Sequence, residues 1–274
     1  MINVLKNSVL LLALLFVSIG CEEIPPEITP CQTNRVILVE EFTGIDCVNC
    51  PTGAERLEQL SNQNPGKMII VGIHAGFFAT NRNGFDLRCS DGQALEQFLG
   101  PVQGYPAATI NRRIFEGENQ LPLGQSQWAG AINSEICQPP IVDITITPTF
   151  DEIDNKASVV VDVVRGPFYN EVLQEDLALT IMITEDNIVG YQLTPAGGDN
   201  SYKHKHVLRD VLSNDFKGDV ILGKGNPITA QQVVINEYQI PADWKAEDCH
   251  IIAFVHNKGL NSEVHQVVEA KLKP

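Results

Sequence analysis

The sequence predicts an α/β domain over residues 31–138 followed by an all-β sandwich over residues 139–274. Three observations carry this. From Arg35 to Cys137, apolar runs of strand length alternate with apolar residues at helical spacing, the pattern of a mixed α/β layout. From Ile141 onward, apolar residues recur at every second position, as in antiparallel strands with one buried face. Between the two lies Pro139-Pro140, a break in regular structure.

The chain has 274 residues, 43% of them hydrophobic and 19% charged, and a net charge of −15. These are globular values, and the length suits one large or two ordinary domains. The acidity excludes nucleic acid and an anionic membrane surface as partners, since both need a basic face. Lys6 precedes the apolar stretch Val9 to Val17, which is too short to span a bilayer. Ser18 and Gly20 then precede Cys21. This resembles a lipoprotein signal over residues 1–20, with Cys21 as the lipidated residue and Ser18 where such signals usually have Leu. Ordinary secretory cleavage near Gly20 is the alternative. Either route takes the chain out of the cytoplasm and permits disulfides. The chain has seven cysteines, and lipidation of Cys21 leaves an even six. Residues 21–30, rich in Pro and Glu, read as an extended tether.

Arg35 to Phe42 is a β-branched apolar run, read as a parallel strand buried on both faces. Pro51 suits the first turn of a helix, and Ala54, Leu57 and Leu60 continue it until Asn64-Pro65-Gly66. Met68 to Ile73 is a second buried strand. After a crossover rich in Gly and Asn, Ser90-x-x-Gln93 has the form of a capping box opening a short helix. Ala94, Leu95, Phe98 and Leu99 face inward from it. Gly104-Tyr105-Pro106 leads into a strand, Ala107 to Ile110, followed by a second short strand. Trp128, Ile132 and Ile136 mark a last helix ending near Cys137. The order is β-α-β-α-β-β-α with the final strand pair antiparallel.

In the second half, Val142 to Thr147, Val159 to Val163, Leu177 to Thr184, Gln231 to Ile240, Ile251 to Val255 and Val264 to Leu272 read as strands. About seven are expected, packed as an antiparallel sandwich. His204 to Phe216 is ambiguous between strand and helix, and Trp244 reads as core.

Cys47-Val48-Asn49-Cys50-Pro51 sits where the first strand gives way to the first helix. Together with Gly104-Tyr105-Pro106 before the strand pair, this resembles a thioredoxin-like domain over residues 31–137. At a helix N-terminus, unpaired backbone N–H groups favour a thiolate, so Cys47 would attack a substrate disulfide and Cys50 would resolve it. The resemblance implies a cis Pro106 beside the cysteines, Tyr105 shaping the substrate groove, and Glu41 as a buried acid that moves a proton for Cys50. One of the two neighbours Glu40 and Glu41 is expected to point away, so Glu41 facing solvent is the alternative. Asp46 stands where thioredoxins usually have Trp, and its charge opposes a thiolate at Cys47. Val48-Asn49 assigns no redox direction. The competing readings of the motif are a structural bridge, a poor staple because its loop is so small, and zinc, which lacks the other ligands.

A bridge between Cys31 and Cys137 is expected if the last helix runs antiparallel to the first strand. Cys89 and Cys249 remain unpaired in this reading, with buried free thiols as one outcome. His74 reads as a satisfied loop histidine or a residue at the site's edge of the sheet. His204-Lys205-His206 reads as a solvated strand face carrying two imidazoles, not a metal site.

Four stretches stand out together: Glu40-Glu41-Phe42-Thr43-Gly44 before the C-x-x-C, Ile73-His74-Ala75-Gly76, His204-Lys205-His206-Val207-Leu208-Arg209 and Ala253-Phe254-Val255-His256. On these, over its full length, the chain resembles lipoproteins of the Bacteroidota outer envelope related to the twenty-eight-kilodalton outer-membrane protein. The resemblance implies a thioredoxin-like domain, then an immunoglobulin-like sandwich, anchored in the outer membrane by the lipid on Cys21. Thiol–disulfide exchange on envelope proteins is the expected function, with protein thiols or disulfides as partners and no cofactor or metal. The rival is a surface binding or adhesion lipoprotein whose C-x-x-C is structural or vestigial.

Overall fold

Ile37–Thr43 (β1) and Met68–His74 (β2) pair in parallel, and both are almost wholly buried, as continuous apolar runs require. The computed structural model describes residues 33–167, 169–259 and 262–273. The signal segment, Cys21, the tether and Cys31 lie outside the described residues. Cys50–Gln63 (α1), Ser90–Leu99 (α2), Ala107–Ile110 (β3), Leu123–Gly124 (β4) and Trp128–Glu135 (α3) follow in the expected order. β3 runs antiparallel to β1 and carries β4 on its other edge.

The second half contributes Val142–Asp151 (β5), Lys156–Arg165 (β6), Leu177–Glu185 (β7), Ile188–Thr194 (β8), Gly197–His204 (β9), Val207–Val211 (β10), Asp219–Leu222 (β11), Gln231–Gln239 (β12), Cys249–Asn257 (β13) and Val264–Lys271 (β14). The chain is mostly β-sheet with few helices. One sheet runs in the order β14-β13-β7-β10-β2-β1-β3-β4, with β11 also on β7. It crosses the Pro139-Pro140 break in sequence, because β10 lies parallel to β2 and Gly72 N–H donates to the His206 carbonyl at 2.7 Å.

β7 and most of β13 are buried on both faces. On one face the three-stranded sheet β12-β6-β5 packs Val142, Val159, Val161 and Val163 against Leu179, Ile181, Ile251 and Val255. On the other, Met182, Ile252 and Phe254 join Leu38, Phe42 and Ile73 under Leu95 and Leu99 of α2. A third core places Leu57, Leu60, Trp128 and Ile132 of α1 and α3 over Ile37, Val39 and Ile110. The two-layer packing of the second half thus shares a sheet with the first half.

Two local expectations change. The α2 N-cap is Cys89, whose Sγ accepts from Gly92 N–H at 3.3 Å, so Ser90 lies inside the helix and no capping box forms there. The ambiguous stretch is strand at Val207–Val211, and Trp244 is half-buried at the margin of its core under the Arg209 guanidinium.

Candidate functional site

Cys47 and Cys50 are disulfide-bonded, and Cys50 opens α1 with Pro51 in its first turn. The turn that presents Cys47 is held by its N–H to the Gly44 carbonyl at 3.0 Å, and Asp46 N–H donates to the Phe78 carbonyl at 3.0 Å. A Cβ on Gly44 would stand 2.3 Å from the Phe78 backbone, so only glycine allows this approach. The Asp46 carboxylate, expected to oppose a Cys47 thiolate, accepts from the Thr80 hydroxyl and from Arg82 at 2.7 Å. A guanidinium offsets its charge.

The Tyr105–Pro106 peptide is cis. A Cβ on Gly53 would lie 2.5 Å from Pro106 Cγ and 2.9 Å from Glu41 Oε1, so this helical glycine lets α1, Pro106 and the acid converge. Tyr105 donates its hydroxyl to Glu96 and sets its ring edge-on to Phe78. Tyr105, Pro106 and Asn49 line an open groove of about 590 Å³ with several glutamine side chains.

Glu40 and Glu41 alternate across the strand, yet neither meets solvent: they are 0% and 5% exposed. The sheet is covered on both faces, which corrects the expectation that one of them faces solvent. Glu40 is paired with Arg112 at 2.6 and 2.8 Å and accepts from Thr109 at 2.9 Å. Glu41 has no such partner for Oε1, and burial pushes its carboxyl up to about 8, so it is mostly protonated at neutral pH.

Glu41 lines a cavity of about 40 Å³ with Cys50, His74, Gln192, Tyr202 and His204. His74 ends β2 and is buried rather than in a loop; burial first, then the neighbouring His204, pushes it down to about 3. Burial likewise pushes His204 down to about 4. Their rings meet edge to face at 5.5 Å. Glu41 also lines an open groove of about 630 Å³ with Glu55, Glu58, Lys203 and Lys205.

The hairpin β8–β9 is the part of the site that sequence reading missed. Gln192 donates from Nε2 to the carbonyls of Cys47 (3.1 Å) and Gly44 (3.3 Å), and Leu193 N–H donates to Ile45 at 2.7 Å. Cys47 is 3% exposed and Cys50 2%. The available signal was Pro195-Ala196-Gly197-Gly198, a turn between two short strand-like runs.

His204 and His206 do not share a strand face. His204 ends β9 and is buried, whereas His206 stands in the turn at φ +56 with its N–H on Asp186. Cys89 and Cys249 are free thiols, pushed up to about 11 and 12 chiefly by burial. Cys137 is disulfide-bonded, and its expected partner Cys31 lies outside the described residues.

Fold and site together define a mostly β protein with a covered disulfide at a strand-to-helix junction. Residues 93–274 match the family model described as outer membrane protein Omp28, and the chain belongs to that outer-membrane family. The match begins after Cys47 and Cys50, so membership rests on the remainder of the chain. Among solved structures, HBP35 of Porphyromonas gingivalis is similar over 88% of this chain and 77% of its own, with 18% identity and a TM-score of 0.68. A protein of Agrobacterium tumefaciens is similar over 87% of this chain and 96% of its own, with 16% identity and a TM-score of 0.52. These likenesses concern the fold alone. Comparison with curated proteins finds no match.

Proposed function

We propose that this Omp28-family protein carries out thiol–disulfide exchange on proteins of the cell envelope. Residues 31–138 act as a thioredoxin-like unit, residues 139–274 as an immunoglobulin-like one, and a lipid on Cys21 holds the chain at the outer membrane. The observation that carries this reading is the Cys47–Cys50 disulfide at the start of α1, with buried Glu41 sharing a cavity with Cys50.

A substrate thiolate attacks Cys47 Sγ, forming a mixed disulfide while the Cys47–Cys50 bond breaks. Cys50 leaves as a thiolate and takes its proton from Glu41, which is protonated for that purpose at neutral pH. A second substrate thiolate then attacks the substrate sulfur and releases Cys47. Two substrate thiols become one disulfide, and Cys47 and Cys50 become dithiol. The reverse sequence reduces a substrate disulfide, and the direction follows the poise of the compartment. Tyr105 and Pro106 border the groove in which the substrate segment lies.

A second reading, a binding lipoprotein with a static bridge, is favoured by the 3% exposure of Cys47 beneath the hairpin. Replacement of Cys50 by Ser in cells separates the two. Exchange predicts substrate proteins trapped on Cys47 as mixed disulfides. If none is trapped, and the purified protein neither oxidises nor reduces a test protein, the binding role stands instead.

A further inference from the structure

Two buried side-chain atoms, Glu41 Oε1 and His74 Nδ1, have no hydrogen-bond partner among the described residues, and Glu41 and His74 line the same cavity beside Cys50. They belong to adjacent parallel strands. Glu41 pairs with Gly72 and Thr43 with His74, so two-residue alternation puts both side chains on one face of the sheet. The cavity, at about 40 Å³, exceeds the roughly 10–15 Å³ that one ordered water requires.

We propose that His74 is a positioning residue for the proton chemistry of Cys50: it anchors a water that hydrogen-bonds to Glu41 in both protonation states of that acid. The proposal takes its purpose from the exchange reading of Cys47 and Cys50, though the coupling of His74 to Glu41 stands without it.

The chemistry follows from donor and acceptor roles. Burial keeps the His74 imidazole neutral at neutral pH. Nδ1 has no partner among the described residues, and in the neutral tautomer protonated at Nε2 it offers its lone pair to a water. A water donates one hydrogen to Nδ1. Protonated Glu41 donates to the water's oxygen. Once Cys50 has taken the proton, ionised Glu41 accepts the water's second hydrogen instead. The charge formed on Glu41 thus meets a partner already in place, in a site that otherwise desolvates it. Glu41 also borders the open groove, from which its proton is replaced. The titratable and charged groups around His74 are His204 and Tyr202 of β9, Lys205 after it, Arg209 of β10, Asp86 of the crossover, and Glu41 and Cys50 themselves.

The test compares His74→Leu, which removes the acceptor, with His74→Asn, whose Oδ1 supplies one near the position of Nδ1. Glu41 is titrated in the oxidised full chain by carbon-13 NMR of labelled glutamate carboxyls. In parallel, the rate of Cys47–Cys50 reduction by dithiothreitol is followed against pH and corrected for reagent thiolate. Leucine is expected to raise the Glu41 titration by about one pH unit, roughly tenfold in ionisation, and to move the rate profile with it. Asparagine is expected to leave both near the parent values. A leucine chain with unmoved Glu41, or an asparagine chain that moves as far as leucine, overturns the proposal. Should leucine prevent folding, His74→Phe keeps a ring without the acceptor and is read by the same outcomes. Neither readout needs a physiological substrate. An empty substrate trap with the leucine shift intact therefore removes the exchange reading and keeps the coupling.

Discussion

Gln192 places its side-chain nitrogen 3.1 Å from the carbonyl oxygen of Cys47, 145 residues away in the chain. The same nitrogen reaches the Gly44 and Leu193 carbonyls, so one buried amide ties the hairpin to the disulfide loop. Without it the Gly44 and Cys47 carbonyls keep backbone donors, Cys47 N–H at 3.0 Å and Cys50 N–H at 3.2 Å, so its removal forfeits the net worth of the lost hydrogen bonds, about 0.5–1.5 kcal/mol. Gln192→Ala is therefore expected to lower stability by about that amount. It should also speed reduction of Cys47–Cys50 by a small thiol at constant pH. An unchanged reduction rate in a folded Ala variant means that the hairpin does not control access to Cys47.

Glu41 predicts a distinctive pH dependence. Its carboxyl is raised from the ordinary 4.5 to about 8 by burial. Below about 4.5 it is neutral in both folded and unfolded chains and adds no pH dependence. Between about 4.5 and 8 the unfolded chain ionises while the folded one holds its proton, so stability falls as pH rises, by roughly 1.4 kcal/mol per unit. Above about 8 no further loss accrues from this group. Glu41→Gln removes that slope. Urea unfolding of the oxidised parent and variant chains at pH 5 and pH 8 checks it: the variant's advantage should grow by several kcal/mol across the interval. Parallel curves would place Glu41's titration at its ordinary position.

How much of this was legible in sequence depends on how each contact is made. β1, β2 and α1 declared themselves because their apolar spacing is the spacing of their buried positions, and C-x-x-C-P is local. The strand pairing that continues the sheet from one half into the other is made by backbone groups at Gly72, His206 and Val207, for which no side-chain pattern exists. The hairpin β8–β9 is mixed in exposure on both strands, so its period-two signal is faint. Arg112 finds Glu40 only because β1 and β3 pair, which local spacing does not encode. Cys89 displaced Ser90 as the cap because a thiol took a place that propensity assigns to oxygen.

That cap yields its own prediction. Cys89 Sγ accepts from Gly92 N–H at 3.3 Å, a weak acceptor where serine is among the preferred N-caps. Cys89→Ser keeps the geometry and strengthens the acceptor, while Cys89→Ala leaves the helix end uncapped. The serine chain is expected to unfold at higher urea than the alanine chain, by about 0.5–2 kcal/mol, with the parent between them. If serine is no more stable than alanine, the thiol's role there is packing rather than capping.

The Glu40–Arg112 pair is an ion pair wholly buried in the first half of the sheet. Both side chains have 0% exposure, and the guanidinium lies 4.8 Å from the Phe254 ring centre, so the pair also ties β1 and the turn after β3 to β13. In such surroundings an ion pair gains little over apolar residues of equal volume, whereas losing one partner strands a buried charge. Arg112→Met is therefore expected to cost about 3–5 kcal/mol, and Glu40→Leu a comparable amount. The double variant should recover much of either loss, because no charge remains to be desolvated. Urea unfolding of all four chains measures the coupling directly. Costs that simply add would show that Glu40 and Arg112 contribute independently, through Thr109 and Phe254 rather than through each other.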